Sequence, residues 1–136
     1  MTYSFENIIA WQKAHAFVLL VYRITRHFPE DEKYGLTSQF RRAAISIEAN
    51  IAEGYKKLGK ADKLRFFNIS QGSLEECRDY HILARDLNYL HQDEFEALHY
   101  SIEETSKFLN SYCKAIANNV AICKGTEGEA DRCNVL

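Results

Sequence analysis

Residues 34–55 read YGLTSQFRRAAISIEANIAEGY. At about 100° per residue this stretch predicts a helix of roughly 20 residues, near 30 Å long. Phe40, Ala43, Ala44, Ile47, Ile51 and Gly54 fall on one stripe suited to a core. Beside it, Gln39, Ser46, Asn50 and Glu53 form a polar stripe spaced seven, four and three. Ile45, Ala49 and Ala52 lie on the far side, where a surface helix is normally charged. A helix that is apolar or small nearly all round is expected to be buried on more than one side. In so short a chain the second burial is expected against another copy of the same protein, so the far side and the polar stripe together read as an assembly surface.

The segments on either side are also helical. Residues 7–28 place Trp11, Ala14, Val18, Val21, Thr25 and Phe28 on one face, widened by Phe17, Leu20 and Ile24. Asn7 is the expected N-cap, and Pro29 stops the helix because proline disfavours helical geometry in the residue before it. Beyond the turn KKLGK at residues 56–60, a third helix is expected over residues 61–90, with Asp62 as its candidate cap. Its face carries Phe67, Leu74, Cys77, Ala84 and Leu87, broadened by Phe66, Ile69, Tyr80 and Leu83. Gly72 sits mid-helix at a cost of about 1 kcal/mol against alanine, and close approach of a neighbouring backbone is its expected return. A fourth helix is expected from residue 93 to 119 or slightly beyond. Phe95, Leu98, Ile102, Thr105, Leu109, Tyr112 and Ile116 repeat along it near the 3.5-residue period of left-handed bundles.

Short connections between four helices give antiparallel neighbours. The expected fold is all-α, an up-down-up-down four-helix bundle over residues 1–124. Residues 125–136, GTEGEADRCNVL, read as a flexible tail. The chain has 136 residues, enough for one domain with a real core. Its formal net charge of -2 excludes a uniformly basic surface but leaves room for a local basic patch. No apolar run approaches the ~18 residues of a membrane span. The opening MTYSFENIIAW lacks a basic start followed by an apolar block, so no signal peptide and a cytoplasmic location are expected. Cys77, Cys113, Cys123 and Cys133 are too dispersed for a Cys-x-x-Cys site, and Cys77 and Cys113, on apolar helix faces, read as small buried residues with free thiols.

Chemistry-bearing candidates are few. Gln39, Ser46, Asn50 and Glu53, facing Ser73 and Glu76 of the third helix, suit either a ligand site or a hydrogen-bonded network that fixes register and subunit pairing; the network is the preferred reading. Glu96 and His99 have half of a di-iron spacing, but the motif occurs once and His99 lies off the core seam, so no metal or other cofactor is expected. Arg85 and His91 have the separation used by small helical ribonucleases of the HEPN type, yet they fall at the end of the third helix, and a surface pair is the preferred reading. Lys56, Lys57, Lys60, Lys63 and Arg65 form a basic segment opposed by Asp62, and Arg41 and Arg42, with Arg23 and Arg26, add charge near the first connection. Clustered cations favour phosphate backbones independently of sequence.

An ordered set of short blocks resembles a known family. Trp11-Gln12-Lys13-Ala14, Val21-Tyr22 with Thr25, Phe28-Pro29, Tyr34-Gly35-Leu36-Thr37 and Gly72-Ser73-Leu74-Glu75-Glu76 support it. The specific block runs from Arg41 to Gly54 as RRAA-x-SI-x-x-NIAEG. Together they resemble the bacterial four helix bundle proteins, also called 23S ribosomal RNA intervening sequence proteins. The resemblance implies a four-helix protomer and a ring-like homo-oligomer, expected to be a pentamer, with no catalytic activity established for the family. It also implies kinship with the accessory variability proteins of diversity-generating retroelements, which engage a reverse transcriptase and nucleic acid.

The sequence reading is therefore a non-enzymatic, cytoplasmic, homo-oligomeric bundle associated with RNA or DNA. A ribonuclease using Arg85 and His91, or a scaffold for a protein partner, are the alternatives.

Overall fold

The computed structural model describes residues 2–118 and consists there of helices, with no strand among the described residues. They are α1 (Ile9–Thr25), α2 (Leu36–Lys56), α3 (Lys60–Asp86) and α4 (Gln92–Ala117), with short 3-10 turns at Ser4–Asn7 and Glu30–Glu32. Each of α1 and α3 packs against both α2 and α4. The result is an antiparallel up-down-up-down four-helix bundle, as short connections require. The tail at 125–136, the expected end of the fourth helix at residue 119 or beyond, Cys123 and Cys133 lie outside the described residues.

The apolar stripes close on one core. All six residues of the α2 stripe are buried, as are Ala14, Phe17, Val18, Val21 and Ile24 of α1 and Leu98, Ile102, Leu109, Tyr112 and Ile116 of α4. On α3 the expectation is only half right. Phe67, Leu74, Cys77 and Ala84 are buried, but Ile69, Leu83 and Leu87 are exposed, and Phe66 and Tyr80 are half-buried. Ser70, Ser73 and His81 take core positions instead. The reason is the closeness of α3 to α2, the most extensive helix pairing in the bundle. Ser70 Oγ donates to the Ile47 carbonyl at 2.8 Å, and Ser73 Oγ donates to Ser46 Oγ at 2.8 Å. A larger side chain at either place would hold the helices apart.

Glycine use follows the same contact. A Cβ on Gly54 would lie 2.6 Å from Phe67 Cε1 and 3.0 Å from Phe66 Cβ, so Gly54 is where α2 and α3 approach. Gly72, expected at such an approach, faces open space with no heavy atom within 4 Å of a built Cβ.

The helix ends also differ from expectation. Asn7 falls in the first 3-10 turn, and Ile8 precedes α1 without a side-chain cap. Thr25 Oγ1 turns back to donate to the Val21 carbonyl at 2.7 Å, and α1 ends there. Gly59, not Asp62, precedes α3; Asp62 instead lies 3.8 Å from Arg65. Asn88 takes φ 61°, and the Tyr89 N–H reaches the Ala84 carbonyl at 2.9 Å, a Schellman closure that ends α3 at Asp86. Tyr89 then stacks obliquely on Phe28 and donates through its hydroxyl to Glu32 Oε2 at 2.8 Å. Glu32 Oε1 accepts the Leu36 N–H at 3.1 Å, so one carboxylate starts α2 and holds both connections at this end together. Hydrogen bonds from Leu36 and Tyr89 hold its carboxyl below the usual range.

The two glycines should respond to alanine with opposite signs. Gly54→Ala forces the fully buried Phe67 aside and should cost about 1–3 kcal/mol, the range for overpacking. Gly72→Ala should gain roughly 0.5–1 kcal/mol from helix propensity alone. Urea unfolding followed by circular dichroism measures both, and a destabilised Gly72→Ala protein would contradict the open space at that position.

Candidate nucleic-acid interface and assembly face

The bundle topology gathers the N-terminal turn, the α2–α3 connection and the last turn of α4 at one end. Lys56 and Lys60 are exposed there and make no ion pair among the described residues. Lys57 Nζ and the Arg65 guanidinium both lie over the Phe66 ring, 4.9 and 4.6 Å from its centroid. Such contacts orient the cations without neutralising them. Lys63 is used differently. Its Nζ donates to the Tyr55 carbonyl at 2.6 Å and sits over the Tyr55 ring, satisfying the C-terminal end of α2 where the helix dipole is negative. Burial pulls its pKa below the ordinary lysine value.

The structure does not bring Arg41 and Arg42 to this cluster. Residue 42 lies about 20 Å along α2 from residue 56, at 1.5 Å per residue. Arg41 Nε donates to Thr25 Oγ1 at 2.9 Å and its guanidinium lies 4.5 Å from the Tyr22 ring, so it anchors the end of α1. Arg42 is exposed. The opposite end of the bundle carries Glu30, Asp31, Glu32, Asp86, Asp93 and Glu94, with Arg26, Lys33 and Arg85 interspersed. Arg23, Arg41 and Arg42 also lie toward that end, so the α2–α3 end is distinguished by its fewer acids and not by more cations.

On the outer side of α2 and α3, Ser46 Oγ accepts hydrogen bonds from Ser73 Oγ and from Asn50 Nδ2, the latter at 3.1 Å, while Asn50 Nδ2 also donates to the Ser46 carbonyl at 2.8 Å. Gln39 and Glu53 are exposed beside this trio, and Glu76 accepts a long 3.4 Å bond from Tyr80. Ile45, at 38% exposure, and Ala49 face outward from α2, and Ile69, Leu83 and Leu87 face outward from α3. Ala52 is half-buried, adjoining Phe5 in a groove beneath the N-terminal turn.

The catalytic and metal candidates are each exposed, with no hydrogen bond or ion pair between Arg85 and His91 or between Glu96 and His99 among the described residues. Arg85 Nε is held by Asp86 Oδ1 at 2.8 Å, whereas exposed His91 precedes α4 and donates its backbone N–H to Glu94 Oε1 at 2.9 Å. Glu96 accepts from Gln92 at 3.1 Å, and His99 is exposed. Among the described residues no three His, Cys, Asp or Glu side chains are grouped to hold a metal. Burial raises the Cys77 thiol, with Glu76 adding to it, and pushes Cys113 up to about 11, so both are protonated near neutral pH and poor nucleophiles.

Some buried residues escaped the sequence reading, His81 among them. His81, on the core spacing of Leu74, Cys77 and Ala84, packs flat on Phe95 at 4.2 Å, and its Nε2–H donates to the Phe95 carbonyl at 3.0 Å. The spacing was a usable signal, obscured because histidine is not an expected core residue.

A family model described as 23S rRNA-intervening sequence protein matches residues 6–111. Among solved structures, a protein of unknown function from the S23 ribosomal protein family of Bacteroides thetaiotaomicron VPI-5482 superposes with a TM-score of 0.70 at 23% identity, covering 78% of this chain and 96% of that one. That likeness carries the fold. No curated protein matches the chain. No helix among the described residues is long and apolar enough to cross a membrane.

His81 makes the α3–α4 contact sensitive to acid. Its pKa is lowered from 6.5, first by burial and further by His99 and Arg85, while the Phe95 carbonyl works the other way. Arg78 and Glu103 line the same groove. The unfolded chain binds the proton more readily, so the contribution of neutral His81 is complete above the unfolded value of 6.5 and is lost as pH falls below it. Melting temperature should fall as pH drops below 6.5, and His81→Gln, which keeps a donor but does not titrate, should flatten that part of the curve. Identical pH profiles for the two proteins would overturn this assignment.

Proposed function

The chain belongs to the 23S rRNA-intervening sequence protein family, and from that premise we propose that it is a non-enzymatic, cytoplasmic assembly module that holds nucleic acid on the basic end of its bundle. The observation that carries the reading is the segregation of charge: Lys56 and Lys60 make no ion pair among the described residues, and Lys57 and Arg65 lie over Phe66, with Asp62 3.8 Å from Arg65, at the end away from Glu30, Asp31 and Glu32. Cations so placed bind phosphates by counterion release, without reading base sequence.

Self-association is the second half of the proposal. The outward face of Ile45, Ala49, Ile69 and Leu83 flanks a polar trio, Ser46, Asn50 and Ser73, whose hydrogen bonds give the face a defined register. A second copy covers this face, and a closed ring, a pentamer on the family expectation, repeats the basic segment about its axis. The few cations of each protomer then form a band, and affinity rises through simultaneous contacts. A ribonuclease built on Arg85 and His91 has less support, since Arg85 is engaged with Asp86 and His91 starts α4.

Ala49→Arg should place an unpaired charge in the contact, at a cost of several kcal/mol if buried, and native mass spectrometry should then show protomers in place of the assembly. Changing Lys56, Lys57 and Lys60 to Gln should leave the assembly intact and reduce the slope of log affinity for RNA against log salt by about two or more. Binding that ignores these three changes would remove the basic end as the phosphate surface, and an unchanged mass for Ala49→Arg would remove the α2 face as the contact.

A further inference from the structure

The N-terminal turn adds an aromatic surface to the basic end. A groove of about 310 Å³ runs between this turn and the end of α2, lined by Tyr3, Ser4, Phe5, Ala52, Tyr55 and Lys56. Tyr3 and Phe5 in its lining are the outer members of a run of rings. Trp11 stacks on His15 at 4.7 Å, Phe5 meets Trp11 edge-on at 5.2 Å, and Tyr3 lies parallel to Phe5, 5.8 Å away and 6° from coplanar. The run ends on Tyr3, which is 73% exposed. The Phe5 ring lies offset and parallel to the Tyr3 ring, which gives Tyr3 a packing partner while leaving most of it in solvent. The acids nearby are engaged: Glu6 accepts the Tyr3 N–H, and Glu48 Oε2 is 2.8 Å from His15 Nδ1. Lys56 stands on the groove wall with no ion pair among the described residues.

Resting on the nucleic-acid reading above, we propose that this groove is a base-stacking site, and that it makes the basic end prefer single-stranded to double-stranded nucleic acid. A positive wall beside an exposed, oriented aromatic ring is the combination that binds single strands: cations take the phosphates and the ring takes the face of an unpaired base. In a duplex both faces of each base are already stacked, so the lysines would contribute alone. Stacking is tolerant of base identity, so the site selects strandedness and not sequence.

The test is fluorescence anisotropy with a labelled 12-nucleotide RNA lacking self-complementarity, free and annealed to its complement, under identical salt. The single strand should bind about ten-fold more tightly than the duplex. Tyr3→Ala should abolish that preference while leaving duplex affinity unchanged. Tyr3→Phe should retain it, and Tyr3→Leu, apolar but without a π face, should lose it. The exposure of Tyr3 makes loss of the fold unexpected, and thermal melts of each variant check this. A 2-aminopurine in the strand should be quenched by the wild type and not by Tyr3→Leu. Equal binding of both forms, or a preference that survives Tyr3→Ala, overturns the stacking site while the phosphate-binding end stands. Absence of binding to either form overturns both.

Discussion

Where α2 meets α3 there is room for a hydrogen atom or a hydroxyl and little more. Gly54 lies against Phe67, Ser70 reaches the Ile47 carbonyl, and Ser73 reaches Ser46. These contacts draw the two helices together and set their antiparallel register. They also rotate α3 so that its small polar residues face inward and Ile69, Leu83 and Leu87 face outward. Burying serines is tolerable because each hydroxyl has a partner; an unmet one would cost about 1–3 kcal/mol. The apolar area forgone at Ser70 and Ser73 is offset by the tight contact of the two backbones and by Phe67, which packs edge-on against Tyr112 of α4 at 5.0 Å.

The bundle ends inherit their chemistry from how the helices are terminated. Lys63 satisfies the last carbonyls of α2, and Arg41 does related service at the end of α1, so two cations that look available in the sequence are committed to structure. Glu32 performs the complementary task at the start of α2 and binds Tyr89. Once these are subtracted, Lys56, Lys57 and Lys60 remain around the α2–α3 connection with no ion pair among the described residues, beside the aromatic run that ends on Tyr3. The specific block from Arg41 to Gly54 thus has a physical account: an arginine that anchors α1, a small-residue face toward α3, and a glycine that Phe67 requires.

Periodicity by itself determined the four helices, their antiparallel order and most of the core. The three- and four-residue spacings of α1, α2 and α4 are long and uninterrupted, and burial of one face per helix leaves few alternatives. The family was equally legible, because the Arg41–Gly54 block encodes a local packing solution in consecutive residues. What remained hidden was decided by contacts between helices distant in sequence. Spacing cannot tell that Gly54 and not Gly72 sits at the close approach, because that depends on which face of α3 the serines pull inward. Nor can it tell that Lys63 turns to the Tyr55 carbonyl while Lys60 stays exposed, since both lie in the first turn of one helix. His81 in the core, Leu87 outside it, and the ring stack joining Tyr3 to His15 follow from the same cause. A linear pattern fixes which side chains share a face, whereas only the packed neighbours fix where that face is pointed and which polar groups find partners there.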